Sequence, residues 1–189
     1  MSRDAAPPAP ADDALAALVV ERAIRDTIFR YCRGVDRMDR ELVRGCYHPD
    51  ARDVHGSFEG DVDAFVDWVF RVLARYDATM HFVGNLLVEP HPARPRELAR
   101  AETYGIAFHR GDRGDPARNL VTGFRYLDRF ECREGAWRIA RRVATTEWVR
   151  VDVPEQCWPG RDGVLLGRRD RGDGVVVGIE KADARDPAV

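Results

Sequence analysis

Apolar residues recur at regular intervals in the first part of the chain, between residues 15 and 35. Spacings of three and four positions relate Leu15, Leu18, Val19, Ala23, Ile24, Thr27, Ile28, Tyr31, Cys32 and Val35. Such spacing places side chains on one face of a helix, so it predicts a long amphipathic helix that begins near Asp12 or Asp13. Gly34 is expected to weaken its last turn.

A second, short helix is predicted after this one. Asp39 can cap a helix that runs to Cys46 or Tyr47 and that Pro49 terminates. Residues 50–56 then have the pattern of an extended segment. A third helix follows, capped by Asp61 or Asp63, and its apolar face consists of Phe65, Val66, Val69, Phe70, Val72, Leu73 and Tyr76.

The hydrophobic period changes from helical to alternating after Asp77. Four segments rich in β-branched and aromatic residues follow, separated by Pro, Gly and Asp: residues 79–89, 99–110, 118–133 and 136–151. This pattern predicts an antiparallel meander. Helices followed by such a sheet indicate an α+β fold, in which N-terminal helices pack on a curved, mostly antiparallel sheet.

Strand alternation assigns the residues of the first segment to two faces. One face would hold His81, Val83, Asn85 and Leu87, and the other Met80, Phe82, Gly84 and Leu86. Both sets are largely apolar, so we expect this strand to be covered on both sides. His81 is then either a core residue whose ring nitrogens have hydrogen-bond partners or a base inside a pocket.

Length and composition indicate one domain. The chain has 189 residues, of which 44% are hydrophobic, which suffices for one well-buried core. Residues 1–11 are rich in Ala and Pro and are expected to be disordered, 12–152 form the domain, and 153–189 form an irregular tail. Within the tail, Trp158 and residues 164–166 could dock on the domain.

The charge balance and the absence of known motifs narrow the function. The 30 basic and 32 acidic residues nearly cancel, so neither nucleic acid nor a membrane is an expected partner. The four cysteines show no CxxC spacing and no signal sequence precedes them, which favours reduced thiols in the cytoplasm. No phosphate loop, dinucleotide fingerprint or HExxH helix is found, and we expect a small-molecule ligand and no cofactor.

Asp36 and His81 are the first candidates for chemistry. Asp36 follows the apolar stripe of the first helix, where its carboxylate could point inward. A buried carboxylate is costly unless it is paired, and a histidine partner makes the pair useful in acid–base catalysis. His109 ends a strand whose same face carries only small residues, which could leave room for a ligand.

A metal site is the rival use of the five histidines. His48, Asp50 and His55 could converge, but their spacing matches no recognised ligand pattern. His48 and His91 adjoin prolines and are expected on loops.

Several short motifs, in order, resemble the SnoaL-like branch of the NTF2-like superfamily. They are YCRGVDRMD at residues 31–39, YHPDA at 47–51, TMHFVGN at 79–85 and FECREGAWRI at 130–139. The resemblance spans about residues 14–150 and implies a cone-shaped α+β fold. Family members with this layout include lyases: scytalone dehydratase, the bile-acid 7α-dehydratase and hexachlorocyclohexane dehydrochlorinase.

The resemblance implies roles for individual residues. His81 would be the base, Asp36 would orient it, and Tyr31 and Arg142 would assist the departing oxygen. Arg141 points to the opposite face, so a shift of one residue in the alignment would exchange the two arginines. The further expected substrate contacts are His55, Asn85, His109 and Tyr126.

The function implied is a cofactor-independent lyase that acts on a small hydroxylated aromatic or polycyclic compound and expels water or a fragment such as formaldehyde. An isomerase or cyclase that uses the same pair is the first alternative. A non-catalytic assembly module, such as a β subunit of a ring-hydroxylating dioxygenase, is the second. The resemblance also implies a homodimer or homotrimer formed through the exposed sheet face.

Overall fold

A computed structural model describes residues 11–111, 119–152 and 167–173. Its elements, in chain order, are α1 (Ala11–Asp36), α2 (Arg40–Gly45), β1 (Tyr47–His55), β2 (Phe58–Asp61), α3 (Val62–Leu73), β3 (Tyr76–His91), β4 (Arg94–Gly111), β5 (Leu120–Arg133) and β6 (Ala136–Val151). The predicted N-terminal segment up to residue 10, Cys157, Trp158 and residues 164–166 lie outside the described residues. Within the described ranges, no helix combines the length and apolar character that a membrane span requires.

The six strands form one mixed sheet in the order β2-β1-β6-β5-β4-β3. Strands β3 to β6 are the predicted antiparallel meander, so the α+β class and the mostly antiparallel sheet are confirmed. The predicted extended segment becomes a hairpin of β1 and β2, which turns at Gly56 with φ +60°. The sequence pattern did not predict that β1 pairs parallel with β6.

Helix α1 buries one face, but only from Val20 onward. Its buried residues are Val20, Ile24, Thr27, Ile28, Tyr31, Cys32, Val35 and Asp36. The expected burial of Leu15, Leu18 and Val19 is wrong, since each is more than 60% exposed. Gly34 does not end the helix. A Cβ atom there would lie 2.6 Å from Val43 Cγ2, so glycine lets α2 pack closely against α1.

The two shorter helices begin at the predicted caps. The Leu42 N–H donates to Asp39 Oδ1 over 2.9 Å, and the Ala64 N–H donates to Asp61 Oδ1 over 2.9 Å. Asp61 rather than Asp63 therefore caps α3. Helix α2 ends at Gly45, so Pro49 lies within β1 and does not terminate the helix.

Strand β3 changes faces in its middle. Thr79, His81 and Val83 point inward, but the pairing with β4 shifts between Val83 and Leu86. Beyond this bulge the inward positions are even-numbered, so Asn85 is exposed on the outer face instead of sharing the face of His81. The outer face is also less covered than expected: Met80 is 53% and Phe82 64% exposed.

Candidate active site

A cavity of about 190 Å³ lies between the helices and the inner face of the sheet. Helices α1 and α3, the end of β1 and strands β3 to β6 supply its walls. Its polar and aromatic lining includes Tyr31, His55, Trp68, His81, His109, Phe124, Tyr126 and Thr146. Small residues such as Ala107 and Ala144 leave the space open, as predicted for the face of β4 that carries His109.

Asp36 and His81 form a hydrogen-bonded pair, of which His81 lines this cavity. His81 Nδ1 lies 2.7 Å from Asp36 Oδ1, and the backbone N–H of His81 donates to Oδ2 over 2.8 Å. The Thr79 hydroxyl donates to Oδ1 over 2.9 Å. The last residue of α1 is therefore joined to two residues of β3. Sequence reasoning did not single out Thr79.

These contacts determine the charge of Asp36. Burial alone would raise the pKa of its carboxyl group, but the hydrogen bonds from His81 and Thr79 outweigh burial and hold the pKa below its usual range. The carboxylate is thus ionised at neutral pH, and we assign the proton of the contact to His81 Nδ1. Nε2 is then the nitrogen that can accept a proton.

His109 lies beside the pair and is electrically neutral. Its ring is 5.8 Å from that of His81 in an edge-to-face arrangement, and 4.9 Å from that of Tyr76. Burial, followed by the nearby charge of His81, lowers the pKa of His109 to about 4. At neutral pH it can take part in hydrogen bonds without adding positive charge beside the base.

Two tyrosines form the inner wall of the cavity. Tyr31 and Tyr126 are almost fully buried, their rings are 5.7 Å apart, and Tyr126 contacts Phe124 at 4.5 Å. Burial raises the pKa of both hydroxyl groups. Each therefore remains protonated and can act as a neutral donor.

Arg142 lies behind this wall and is not among the cavity-lining residues. It is fully buried and forms two hydrogen bonds with Asp128, Nε to Oδ1 at 2.8 Å and Nη2 to Oδ2 at 2.7 Å. Its guanidinium carbon lies 3.9 Å from the Tyr126 ring centroid and 4.3 Å from that of Tyr31. Arg141 is exposed, as the alternation predicts. Direct contact of Arg142 with a leaving group stays a prediction, and this placement offers contact only through the tyrosines.

The other predicted residues separate into two groups. His55, His109 and Tyr126 line the cavity, whereas Asn85 lies in an outer groove with Phe82 and Trp148. Asn85 as a contact in this cavity is therefore a wrong prediction, because the bulge in β3 turns it away.

Two residues of the metal alternative have other partners. His48 is buried in β1, not on a loop, and its Nε2 contacts the Glu131 carbonyl oxygen at 2.9 Å. Asp50 pairs with Arg133 over 2.6 Å. Among the described residues, no group of three His, Cys, Asp or Glu side chains could hold a metal ion.

Arg169, in the predicted irregular tail, was missed by sequence reasoning. Residues 167–173 form a turn, from which the Arg169 guanidinium donates to the carbonyl oxygens of Asp36 (3.3 Å), Leu73 (3.1 Å) and Tyr76. It thus joins the ends of α1 and α3 to the start of β3. A basic residue in a charged tail gives no signal of such contacts, since three partners are backbone carbonyl groups and the fourth is the sulfur of Met38, 3.0 Å from Nη2 and 131 positions earlier in the chain.

Fold and site together define a small α+β protein with a pocket between its helices and its sheet, where the end of the first helix presents a carboxylate to a strand histidine. The chain belongs to the SnoaL-like family, because the family model of the SnoaL-like domain matches residues 16–143. The resemblance read from the motifs is thereby confirmed. Comparison with curated protein sequences gives no significant match.

Solved structures with the same fold include proteins of two named activities. A proposed scytalone dehydratase from Novosphingobium aromaticivorans has a TM-score of 0.65 at 20% identity, over 77% of this chain and 99% of its own. Hexachlorocyclohexane dehydrochlorinase LinA type 2 has a TM-score of 0.68 at 19% identity, over 80% and 99%. LinA type 3 from Novosphingobium barchaimii has 0.67 at 18%, over 78% and 99%. At these identities the likeness establishes the shared fold.

Proposed function

We propose that the protein is a lyase that removes a proton from a carbon of a small hydroxylated aromatic or polycyclic compound and expels water or a small fragment. The observation that carries this proposal is that His81, hydrogen-bonded to Asp36, lines an aromatic cavity. Such a pair moves a proton and stabilises the charge that results, which is what elimination requires.

Each residue of the pair has one task. His81 Nε2 accepts the proton from carbon, and the electrons of that bond form the new double bond as the carbon–oxygen bond breaks. Asp36 keeps the proton of the neutral imidazole on Nδ1 and stabilises the imidazolium that forms. Tyr31, a neutral donor that lines the cavity, would assist the departing oxygen.

The shape of the cavity supports a compact, largely apolar substrate. Its volume of about 190 Å³ is below the roughly 300–1,000 Å³ typical of pockets for drug-sized ligands. The Trp68, Phe124 and Tyr126 rings offer faces on which a flat substrate can stack. The dehydratase and dehydrochlorinase names of the structural neighbours are consistent with elimination chemistry.

An isomerase or cyclase is the second candidate, because the same pair can return the proton to another carbon of the substrate, which then keeps all its atoms.

The exposed Met80, Phe82 and Trp148 side chains on the outer sheet face support association of two or three copies through that face.

The test is turnover by the purified protein on a panel of aromatic β-hydroxy ketones and diols. Ultraviolet absorbance detects a new conjugated double bond, a formaldehyde assay detects carbon–carbon cleavage, and mass spectrometry detects loss of water. His81→Ala should lower kcat at least about 100-fold, whereas the matched control His91→Ala, at the far end of β3, should not. Products that keep every atom of the substrate would favour the isomerase or cyclase, and full activity of His81→Ala would refute both.

A further inference from the structure

A second histidine reaches the cavity from a different strand. His55 is the last residue of β1, and its side chain is 25% exposed. Its ring packs against Phe65 at 5.6 Å, Tyr126 at 5.9 Å and Trp68 at 6.0 Å. Three aromatic rings thus pack against the imidazole, and it lines the same cavity as His81.

Asp53, two residues earlier on the same strand, faces this histidine. Its side chain is fully buried, Oδ2 accepts a hydrogen bond from the Tyr47 hydroxyl over 2.7 Å, and Oδ1 lies 3.6 Å from His55 Nδ1. Neither Oδ1 nor Nδ1 has a hydrogen-bond partner among the described residues. A buried carboxylate oxygen without a partner is costly, and a small rotation of the imidazole would bring the two atoms into hydrogen-bonding distance.

The contact constrains the proton on His55. A bare Nδ1 lone pair facing a carboxylate oxygen is repulsive, so Nδ1 must carry a hydrogen. Nε2 is then an acceptor in the neutral ring and a donor in the protonated ring.

Charged groups from three strands lie near His55. Asp53 of β1 and Tyr126 of β5 face the ring, Asp128 of β5 interacts with it electrostatically, and α3 presents Phe65 and Trp68. Tyr47 of β1 donates to Asp53, while Tyr31 of α1 and Arg142 of β6 contact Tyr126. Arg142 donates through Nε and Nη2 to both oxygens of Asp128, its Nη1 has no hydrogen-bond partner among the described residues, and it stands opposite Asp53 in the pairing of β1 with β6. One guanidinium thus faces two buried carboxylates. A cation beside Asp53 would balance this excess negative charge.

We propose that His55 and Asp53 form a second proton-transfer pair, which donates a proton to the leaving group while His81 removes one from carbon. The proposal rests on the lyase function proposed above. His81 gains the proton of the broken carbon–hydrogen bond, and that bond's electrons form the double bond. The carbon–oxygen bond breaks, its electrons go to oxygen, and the His55 Nε2 proton converts the departing hydroxide to water. Exchange with solvent then resets both histidines.

The two pairs differ in their hydrogen bonds and surrounding charges, as a base and an acid in one site require. Asp36 receives three hydrogen bonds. The histidine ring beside His81 is that of His109, which is neutral. Asp53 receives one hydrogen bond and lies in a cluster with a surplus carboxylate. Titratable groups held in contrasting environments take opposite roles as base and acid.

The first experiment reads the protonation of His55 directly and needs no substrate. Nitrogen chemical shifts of the labelled histidine rings should show both His55 nitrogens protonated at neutral pH. Asp53→Asn should abolish that signature, whereas Asp50→Asn, an exposed carboxylate on the same strand, should leave it unchanged. A wild-type ring with one proton would overturn the pair, as would a signature that persists in a folded Asp53→Asn variant. If Asp53→Asn does not fold, the wild-type spectrum decides alone.

The second experiment varies the leaving group. With a hydroxyl leaving group, His55→Gln should lower kcat about 100-fold. With a halide in the same position, which needs no proton, the loss should nearly vanish, whereas His81→Ala should remain inactive on both. Equal losses on both substrates would show that His55 only shapes the cavity. If the wild-type protein turned over neither substrate, the lyase proposal would fail, and the nitrogen spectra would still decide the His55–Asp53 pair.

Discussion

Replacement of Asp36 by Asn tests the geometry of the first pair most sharply. The carboxylate accepts hydrogen bonds from Thr79 and His81 Nδ1 at Oδ1 and from the His81 backbone N–H at Oδ2. An amide has only one acceptor oxygen. If that oxygen replaced Oδ1, the amide N–H₂ would face the His81 backbone N–H, donor against donor. The favoured orientation therefore puts the oxygen at Oδ2 and the N–H₂ at the Oδ1 position.

That orientation changes the imidazole itself. The N–H₂ group would donate to His81 Nδ1, and the proton of the neutral ring would move to Nε2, the nitrogen that must act as the base. Loss of a charge-assisted hydrogen bond alone costs about 1.5–3 kcal/mol, or roughly 10- to 150-fold in rate. The wrong tautomer can extend the loss to about 10⁴-fold. We therefore expect kcat of Asp36→Asn to fall by about 10² to 10⁴.

Two measurements check this expectation. Steady-state kinetics on a substrate identified in the panel give kcat, with Asp50→Asn as a control that keeps wild-type turnover. Nitrogen chemical shifts should place the His81 proton on Nδ1 in the wild type and on Nε2 in the variant. A folded Asp36→Asn protein with kcat within roughly threefold of wild type would refute the reasoning, and so would an unchanged tautomer.

Three further outcomes are expected. Arg142→Met should lower the free energy of unfolding, measured with urea, by about 3–5 kcal/mol, because it leaves the buried Asp128 carboxylate without its partner. The second substitution Asp128→Leu should recover most of this loss. Asn85→Ala should leave kcat and KM unchanged, since its side chain lies on the outer face; a clear loss of turnover would return it to the site. The contribution of Asp36 to stability, present above the unfolded-state value near 3.9, should be lost as pH falls through its depressed folded-state pKa. Asp36→Asn should lack this component in acid denaturation curves.

The elements that follow from local periodicity could be predicted from the sequence. The helical stripe that ends at Val35, the cap at Asp39 and the four alternating segments all rest on neighbours close in the chain. The meeting of Asp36 with His81 could also be expected, because the cost of burying a carboxylate demands a partner and the family resemblance supplied one.

Non-local contacts account for the rest. The one-residue bulge in β3 exchanges the residues that point to the inner and outer faces of the sheet. Alternation continued past Val83 therefore assigned Asn85 to the inner face, although it lies on the outer one. The helical periodicity that includes Leu15 does not show how far along α1 the sheet covers the helix, so the exposure of Leu15 could not be predicted. The parallel pairing of β1 with β6, which places Asp53 beside Arg142, joins segments about ninety residues apart and leaves no local signal.

The contacts of Arg169 indicate the order in which parts of the fold form during translation. Its partners precede it by 133, 96 and 93 positions, so both helices and the strand that frame the Asp36 end of the cavity leave the ribosome long before the residue that joins them. Because chains fold from the N-terminus as they emerge, a nascent domain can form its sheet and helices while the carbonyl groups at these helix ends still bind water. The cavity would acquire its final framework only when the segment around Arg169 arrives, at a late stage of translation.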